Sequence, residues 1–193
     1  VMAVTLLSSL PVQNVLANES KETKGEEYEI YPIPQSIKYD NGTVTLGTDA
    51  NVVFEEGIDE ATKNRLLEVL SIKGINHEEI KEDKTNFLIG INNSEGVVDK
   101  YFTDNNLVND SHFENHDAHV VSVKGNVIAV LGKNTDSAFY GITSLKAIFN
   151  QLEGNELKEL LIEDYSDGQW RGFIEGYYGI PWSNENRKDL MNF

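Results

Sequence analysis

The sequence predicts an α+β fold, a two-layer sandwich of one small sheet and two helices, on three observations. His119-Val-Val-Ser-Val-Lys-Gly-Asn-Val-Ile-Ala-Val-Leu131 reads as two apolar strands turned at Lys124-Gly125-Asn126. Two windows place apolar residues at helical spacing, Leu66, Val69 and Leu70 in one and Ala138, Ile142, Leu145 and Phe149 in the other. The resulting order of strand, hairpin, helix, strand, hairpin, helix leaves one sheet face for the helices to cover.

Taken in order, residues 2–17 read as the apolar core and cleavage region of a secretory signal, with Val15-Leu16-Ala17 supplying small residues where cleavage needs them. The run is short and broken by Ser, Pro, Gln and Asn, which argues against a membrane span. The basic segment that opens such signals is missing and the chain starts at Val1, so residues 1–17 are expected to be a signal remnant of a longer record. Residues 18–27 are charged and without apolar periodicity, a solvated linker.

The α+β domain is expected at 28–165. Tyr28 to Ile33 reads as an extended edge segment, because the prolines at 32 and 34 cannot donate to a ladder. Ile37 to Leu46 alternates about Asn41-Gly42 and predicts a hairpin. Val52 to Phe54 is a short strand; Asp59 caps a helix to about Lys73, with Gly74 as its stop. Asn86 to Ile91 is an apolar strand. Residues 92–117 read as polar and irregular, pinned only by Val97, Val98, Tyr101, Phe102, Leu107 and Val108. The second long helix runs from Asp136 to Asn150, Leu160 to Ile162 is a closing strand, and Asp164 to Gln169 is a short connection.

Composition narrows the function. Among 193 residues, 16 Lys and Arg stand against 32 Asp and Glu, a net charge of −16, which argues against a nucleic-acid backbone or an anionic membrane as partner. No cysteine is present, which excludes disulfides, thiolate metal sites and a Cys nucleophile. A secreted chain without cysteine suits a bacterial exoprotein.

The stretch most suggestive of chemistry is Arg171-Gly-Phe-Ile-Glu-Gly-Tyr-Tyr-Gly-Ile-Pro-Trp182. Phe173 and Ile174 continue a β run, Gly176 and Gly179 let the backbone turn, and Tyr177, Tyr178 and Trp182 crowd that turn. Ser183 is a good N-cap and Glu185 sits in the first turn of a following helix. This segment resembles the opening of the catalytic barrel in glycoside hydrolase family 84, the β-N-acetylglucosaminidase, O-GlcNAcase and bacterial hyaluronidase-type family. The region before it is similar to the accessory domain ahead of the barrel in that family and in family 20 hexosaminidases, where such a hairpin is followed by a Tyr-Gly helix like Phe139 to Leu145.

The resemblance implies that residues 166–193 begin a (β/α)8 barrel that is truncated at Phe193, and that the parent removes β-linked N-acetylglucosamine from glycans or glycoproteins. Hyaluronidase-type specificity and a non-catalytic accessory or glycan-binding domain stay open as alternatives. It also implies substrate-assisted catalysis: the sugar's 2-acetamido oxygen attacks the anomeric carbon, one Asp orients that amide, and an adjacent Asp acts as acid and then base. The chain contains no Asp-Asp dipeptide, so no catalytic residue is assigned within it. Carried over by position, Gly176 matches the glycine whose backbone contacts sugar hydroxyls, and Tyr178 the tyrosine lining the acetamido pocket. Glu175, Arg171 and Trp182 are assigned to structure. No cofactor is implied. His112, His116 and His119 with neighbouring carboxylates invite a zinc reading, but their spacing matches no helix-borne ligand motif, and no metal ligand is assigned.

Overall fold

The computed structural model describes residues 28–77, 84–172 and 181–192. The expected signal remnant, linker and glycine turn, including Glu175, Gly176, Tyr177 and Tyr178, lie outside the described residues.

The described chain runs β1 Ser36–Thr45, β2 Ala50–Phe54, α1 Glu60–Ile72, β3 Thr85–Ile91, α2 Val97–Asp104, a 3-10 helix Asp110–Glu114, β4 His116–Lys124, β5 Val127–Gly132, α3 Thr135–Gln151, β6 Glu156–Ser166 and α4 Asn184–Asn192. The strands form one sheet in the order β1-β6-β4-β5-β3-β2. The β2/β3 and β3/β5 pairs are parallel and the other pairs antiparallel.

The long helices start where side chains can satisfy their free N–H groups. An Asp59 carboxylate oxygen accepts from Thr62 N–H at 2.8 Å, and Asn134 Oδ1 accepts from Ser137 N–H at 2.9 Å. Both helices bury their apolar stripe on the same sheet face. Leu66, Val69, Leu70, Ile142, Leu145 and Phe149 pack there against Phe87, Ile89, Val121, Val130 and Ile162, with Phe87 and Phe149 edge-on at 6.4 Å. This is the expected α+β sandwich. Ser183 also caps α4 as anticipated, its Oγ accepting from Asn186 N–H at 3.1 Å.

Four local expectations differ. Asn41-Gly42 does not turn a hairpin: β1 is one strand, and between Tyr39↔Leu160 and Thr43↔Lys158 three residues oppose Glu159 alone. Pairing along the 11 residues of β6 outweighs the local turn signal, which is used as a bulge. Gly42 is suited to it, since a Cβ there would lie 2.4 Å from Glu159 Oε2.

Residues 92–117 are not irregular either. They supply α2 and the 3-10 helix, whose Val98, Phe102 and Phe113 cover Ala118, Val120, Ala129 and Leu131 on the second sheet face. The strands β4 and β5 are apolar on both faces, so that face also needs a cover. Glu55, at the end of β2, secures it: its carboxylate accepts from Val98 N–H at 2.7 Å and Ile91 N–H at 3.2 Å, capping α2 from a distant strand.

Tyr28 to Ile33 forms no strand, and side chains hold it instead. Gln151 of α3 donates to and accepts from the Glu29 backbone at 2.7 and 2.8 Å, and Ile30 is buried. The closing strand β6 is longer than anticipated and takes in Asp164 to Ser166; it lies inside the sheet, because β1 adds outside it.

Gly141 lets α3 approach the sheet. A Cβ there would stand 2.7 Å from Val130 Cγ1 and 3.2 Å from His119 Cδ2. Helix propensity alone gives Gly→Ala a gain of about 1 kcal/mol. Because Val130 is buried and stiff, G141A is expected instead to lower stability by roughly 1–3 kcal/mol, as overpacking does, in urea denaturation.

Candidate functional site

The sheet ends where β6 delivers the chain to Arg171, and the structure opens there into a cavity of about 500 Å³. Its floor is His119 of β4 and Asp164 of β6; its walls are Tyr31, Ile33, Gln35, Tyr140, Thr143 and Arg171, brought together from both ends of the domain.

A bulge builds the floor. Between His116↔Ser166 and His119↔Asp164, β4 carries one residue more than β6, and Asp117 sits at φ 54°, a left-handed value that Asp tolerates better than most residues. The kink brings the Asp117 carbonyl within 2.9 Å of His119 Nδ1 and leaves its carboxylate free to meet Arg171 Nη2 at 2.6 Å.

His119 is 3% exposed. With Nδ1–H donating to the Asp117 carbonyl, Nε2 is the lone-pair nitrogen, and it has no hydrogen-bond partner among the described residues. Asp164 Oδ2 stands 3.7 Å from it. Burial pushes the imidazole below its ordinary value, against the pull of the Asp117 carbonyl and the Asp164 carboxylate. Asp164 is held in turn, its Oδ1 accepting from the backbone N–H of Gln35 at 3.1 Å and of Tyr165 at 2.9 Å.

Arg171 closes the rim. Besides Asp117, it donates from Nη1 to Ser166 Oγ, and its guanidinium lies 5.5 Å from the centre of the Tyr140 ring. The first residue of the glycine-aromatic motif is thus clipped to β4 and α3.

Sequence reasoning assigned Arg171 to structure, weighed His119 and its neighbouring carboxylates only as zinc ligands, and gave no site role to Asp164, Tyr31 or Tyr140. The one available signal was the alternation from His119 onward, which turns His119 inward with Val121 and Val123. The bulge that completes the floor leaves no such trace. Of the three clustered histidines, His112 lies with Nε2 at 3.1 Å from the His119 carbonyl and His116 is exposed. Among the described residues no group of His, Asp and Glu is arranged to hold a metal ion, and no helix is long and apolar enough to cross a membrane.

His119 gives the domain a pH dependence of known sign. Its folded-state pKa is lowered, so as pH falls the unfolded chain takes up the proton first, beginning near the ordinary value of 6.5. The stabilisation is complete above that pH and is lost as pH falls through the folded value. Asp59, lowered by the Thr62 backbone N–H, and Glu68, lowered by Lys146, act only in the carboxylate range, below their ordinary values of 3.8 and 4.5. Urea midpoints measured between pH 7.5 and 5.5 should therefore fall with acid, and H119Q should flatten that slope; an equal slope in the variant refutes the assignment.

The family described as Glycosyl hydrolase family 20, domain 2, matches residues 27–165, and the family described as beta-N-acetylglucosaminidase matches residues 171–193. The solved structure of CpGH84D is 96% identical over 86% of this chain, with a TM-score of 0.82, and that of CpGH84B is 26% identical over 86%, with a TM-score of 0.71. This chain spans 28% and 27% of their lengths. A family 20 exo β-N-acetylglucosaminidase from Vibrio harveyi, in complex with N-acetylglucosamine, is 17% identical over 72% of this chain and 19% of its own, at a TM-score of 0.50, a likeness of fold alone. Through residues 27–165 the chain belongs to the glycosyl hydrolase family 20 domain 2 family, in the form carried by members of glycoside hydrolase family 84.

Proposed function

We propose that the chain is the N-terminal part of a secreted retaining glycoside hydrolase that removes β-linked N-acetylglucosamine from glycans or glycoproteins. The observation that carries this reading is the succession of two matches on one chain, a hexosaminidase-type accessory domain to residue 165 and a β-N-acetylglucosaminidase segment from Arg171. Its 96% identity to part of CpGH84D supports the same reading.

In this proposal residues 28–165 form the accessory domain, residues 166–193 begin a (β/α)8 barrel, and residues 1–17 are what remains of an export signal. Barrel enzymes bind substrate at the carboxyl ends of their strands, which is where a strand through Phe173 and Ile174 would deliver Gly176 and Tyr178. Gly176 offers backbone to the sugar hydroxyls without a side chain in the way, and Tyr178 offers an aromatic face to the acetamido methyl. The acetamido oxygen is itself the nucleophile. The carboxylates that orient it and shuttle the proton belong to the barrel beyond residue 193, and no cofactor enters the reaction.

Two measurements test this. The 193-residue chain should not hydrolyse a chromogenic β-N-acetylglucosaminide, whereas the complete protein should; turnover by the short chain above a buffer blank, or none by the complete protein, overturns the reading. In the complete enzyme, Gly176→Val should reduce kcat/KM by roughly 10- to 100-fold, the kinetic equivalent of placing about 1.4 to 2.7 kcal/mol of steric conflict beside the sugar. Unchanged kinetics removes Gly176 from the site.

A further inference from the structure

We propose that Asn41 is a site of spontaneous covalent modification, at which the folded protein loses a side-chain amide and gains an isoaspartate in the bulge of β1. This inference stands apart from the enzymatic reading above, since it rests on β1 and β6 alone.

Sequence supplies the reactive pair. Asn41-Gly42 is the one Asn-Gly dipeptide in the chain. Asparagine holds its amide carbon within five-membered-ring reach of the next backbone nitrogen, and glycine leaves that nitrogen without a side chain beside it.

The fold leaves the pair open to react. Asn41 is exposed and lies on an edge strand, one side of which pairs with no strand among the described residues. On the other side the register passes from Tyr39↔Leu160 to Thr43↔Lys158, so Asp40, Asn41 and Gly42 fall outside the regular ladder that would hold their backbone extended. Glu159 opposite them keeps position 42 a glycine. A Cβ there would lie 2.4 Å from its Oε2, and its Oε1 accepts from the Gly125 N–H at 2.7 Å, a bond that is lost if the carboxylate swings away.

The chemistry needs only water. The Gly42 nitrogen gives its proton to water and attacks Cγ of Asn41; the N–Cγ bond forms, the Cγ–Nδ2 bond breaks and ammonia leaves. Water then opens the resulting succinimide. Addition at Cγ restores the main chain with an aspartate, whereas addition at the Asn41 backbone carbonyl carbon breaks the original peptide bond and leaves the chain running through Cγ, as isoaspartate. Either product adds a charge to a bulge that holds Asp40 and faces Glu159, and isoaspartate also lengthens the main chain by a methylene. The strand then loosens beside Tyr39. The Tyr39 hydroxyl accepts from the Tyr28 N–H at 3.0 Å and the Tyr28 hydroxyl from the Lys158 N–H at 3.1 Å, so the entry of the chain into the domain loosens with it.

Peptide mapping of the complete protein, aged at neutral pH both folded and unfolded in urea, tests the site. Folded Asn41 should convert at a rate within about tenfold of the unfolded one, because a bulged edge opens locally at little cost. Isoaspartate should appear at residue 41 by enzymatic methylation. The mass change of amide to acid separates it from Asp167-Gly168, where isomerisation alters no mass. Asn41→Gln, which must close a slower six-membered ring, should abolish both signals. Folded conversion slowed beyond that factor, or signals that N41Q leaves in place, overturn the site. Amide hydrogen exchange reads the consequence: peptides covering residues 28–40 should exchange at least about tenfold faster in the converted protein. Equal exchange overturns the loosening of β1.

Discussion

The interior position of β6 is the constraint from which the rest follows. An 11-residue strand that pairs with β1 on one side and β4 on the other must have both neighbours accommodate its length. The strand β1 does so by bulging at Asp40 to Gly42, and β4 by bulging at Asp117. The first bulge is structural. The second turns a backbone carbonyl and a carboxylate toward the end of the sheet, where β6 releases the chain. Without that pairing Arg171 would have no fixed neighbour, and the segment after it no defined starting direction.

Burial and polarity meet at His119. An imidazole at the edge of a core facing α3 is kept neutral by the cost of charging it there, and its tautomer follows from the Asp117 carbonyl. The nearby Asp164 does not pair with it at close range, because its other oxygen holds the backbone of Gln35 and Tyr165. The N-terminal segment is thereby fastened to the C-terminal strand. This explains how a stretch without regular secondary structure, Tyr28 to Gln35, comes to wall a cavity.

The covered second face shows how an accessory domain manages a sheet that is apolar on both sides. The two long helices use their propensity and caps to cover one face. The other receives only α2 and a 3-10 helix, and the Glu55 carboxylate substitutes for a local N-cap that Gly96 cannot provide. The long helices were legible from spacing alone. The short cover was not, since the burial of Val98 and Phe102 depends on what Ala129 and Leu131 expose beneath them.

The sequence by itself determined what depends on near neighbours. Its 3.6-residue spacings fixed α1 and α3, their capping residues fixed where they start, the apolar run about Gly125 fixed the β4/β5 hairpin, and Ser183 fixed the start of α4. These are interactions within a few residues of one another. Tertiary structure alone decided that Asn41-Gly42 is a bulge, that residues 92–117 cover a face, and that Tyr31, Asp117, His119, Tyr140, Asp164 and Arg171 share one cavity. Each of those outcomes is set by pairing or burial against residues far away in the chain. A strand partner more than a hundred residues distant can overrule a strong local turn signal because the many contacts along β6 outweigh the single one the turn would have made.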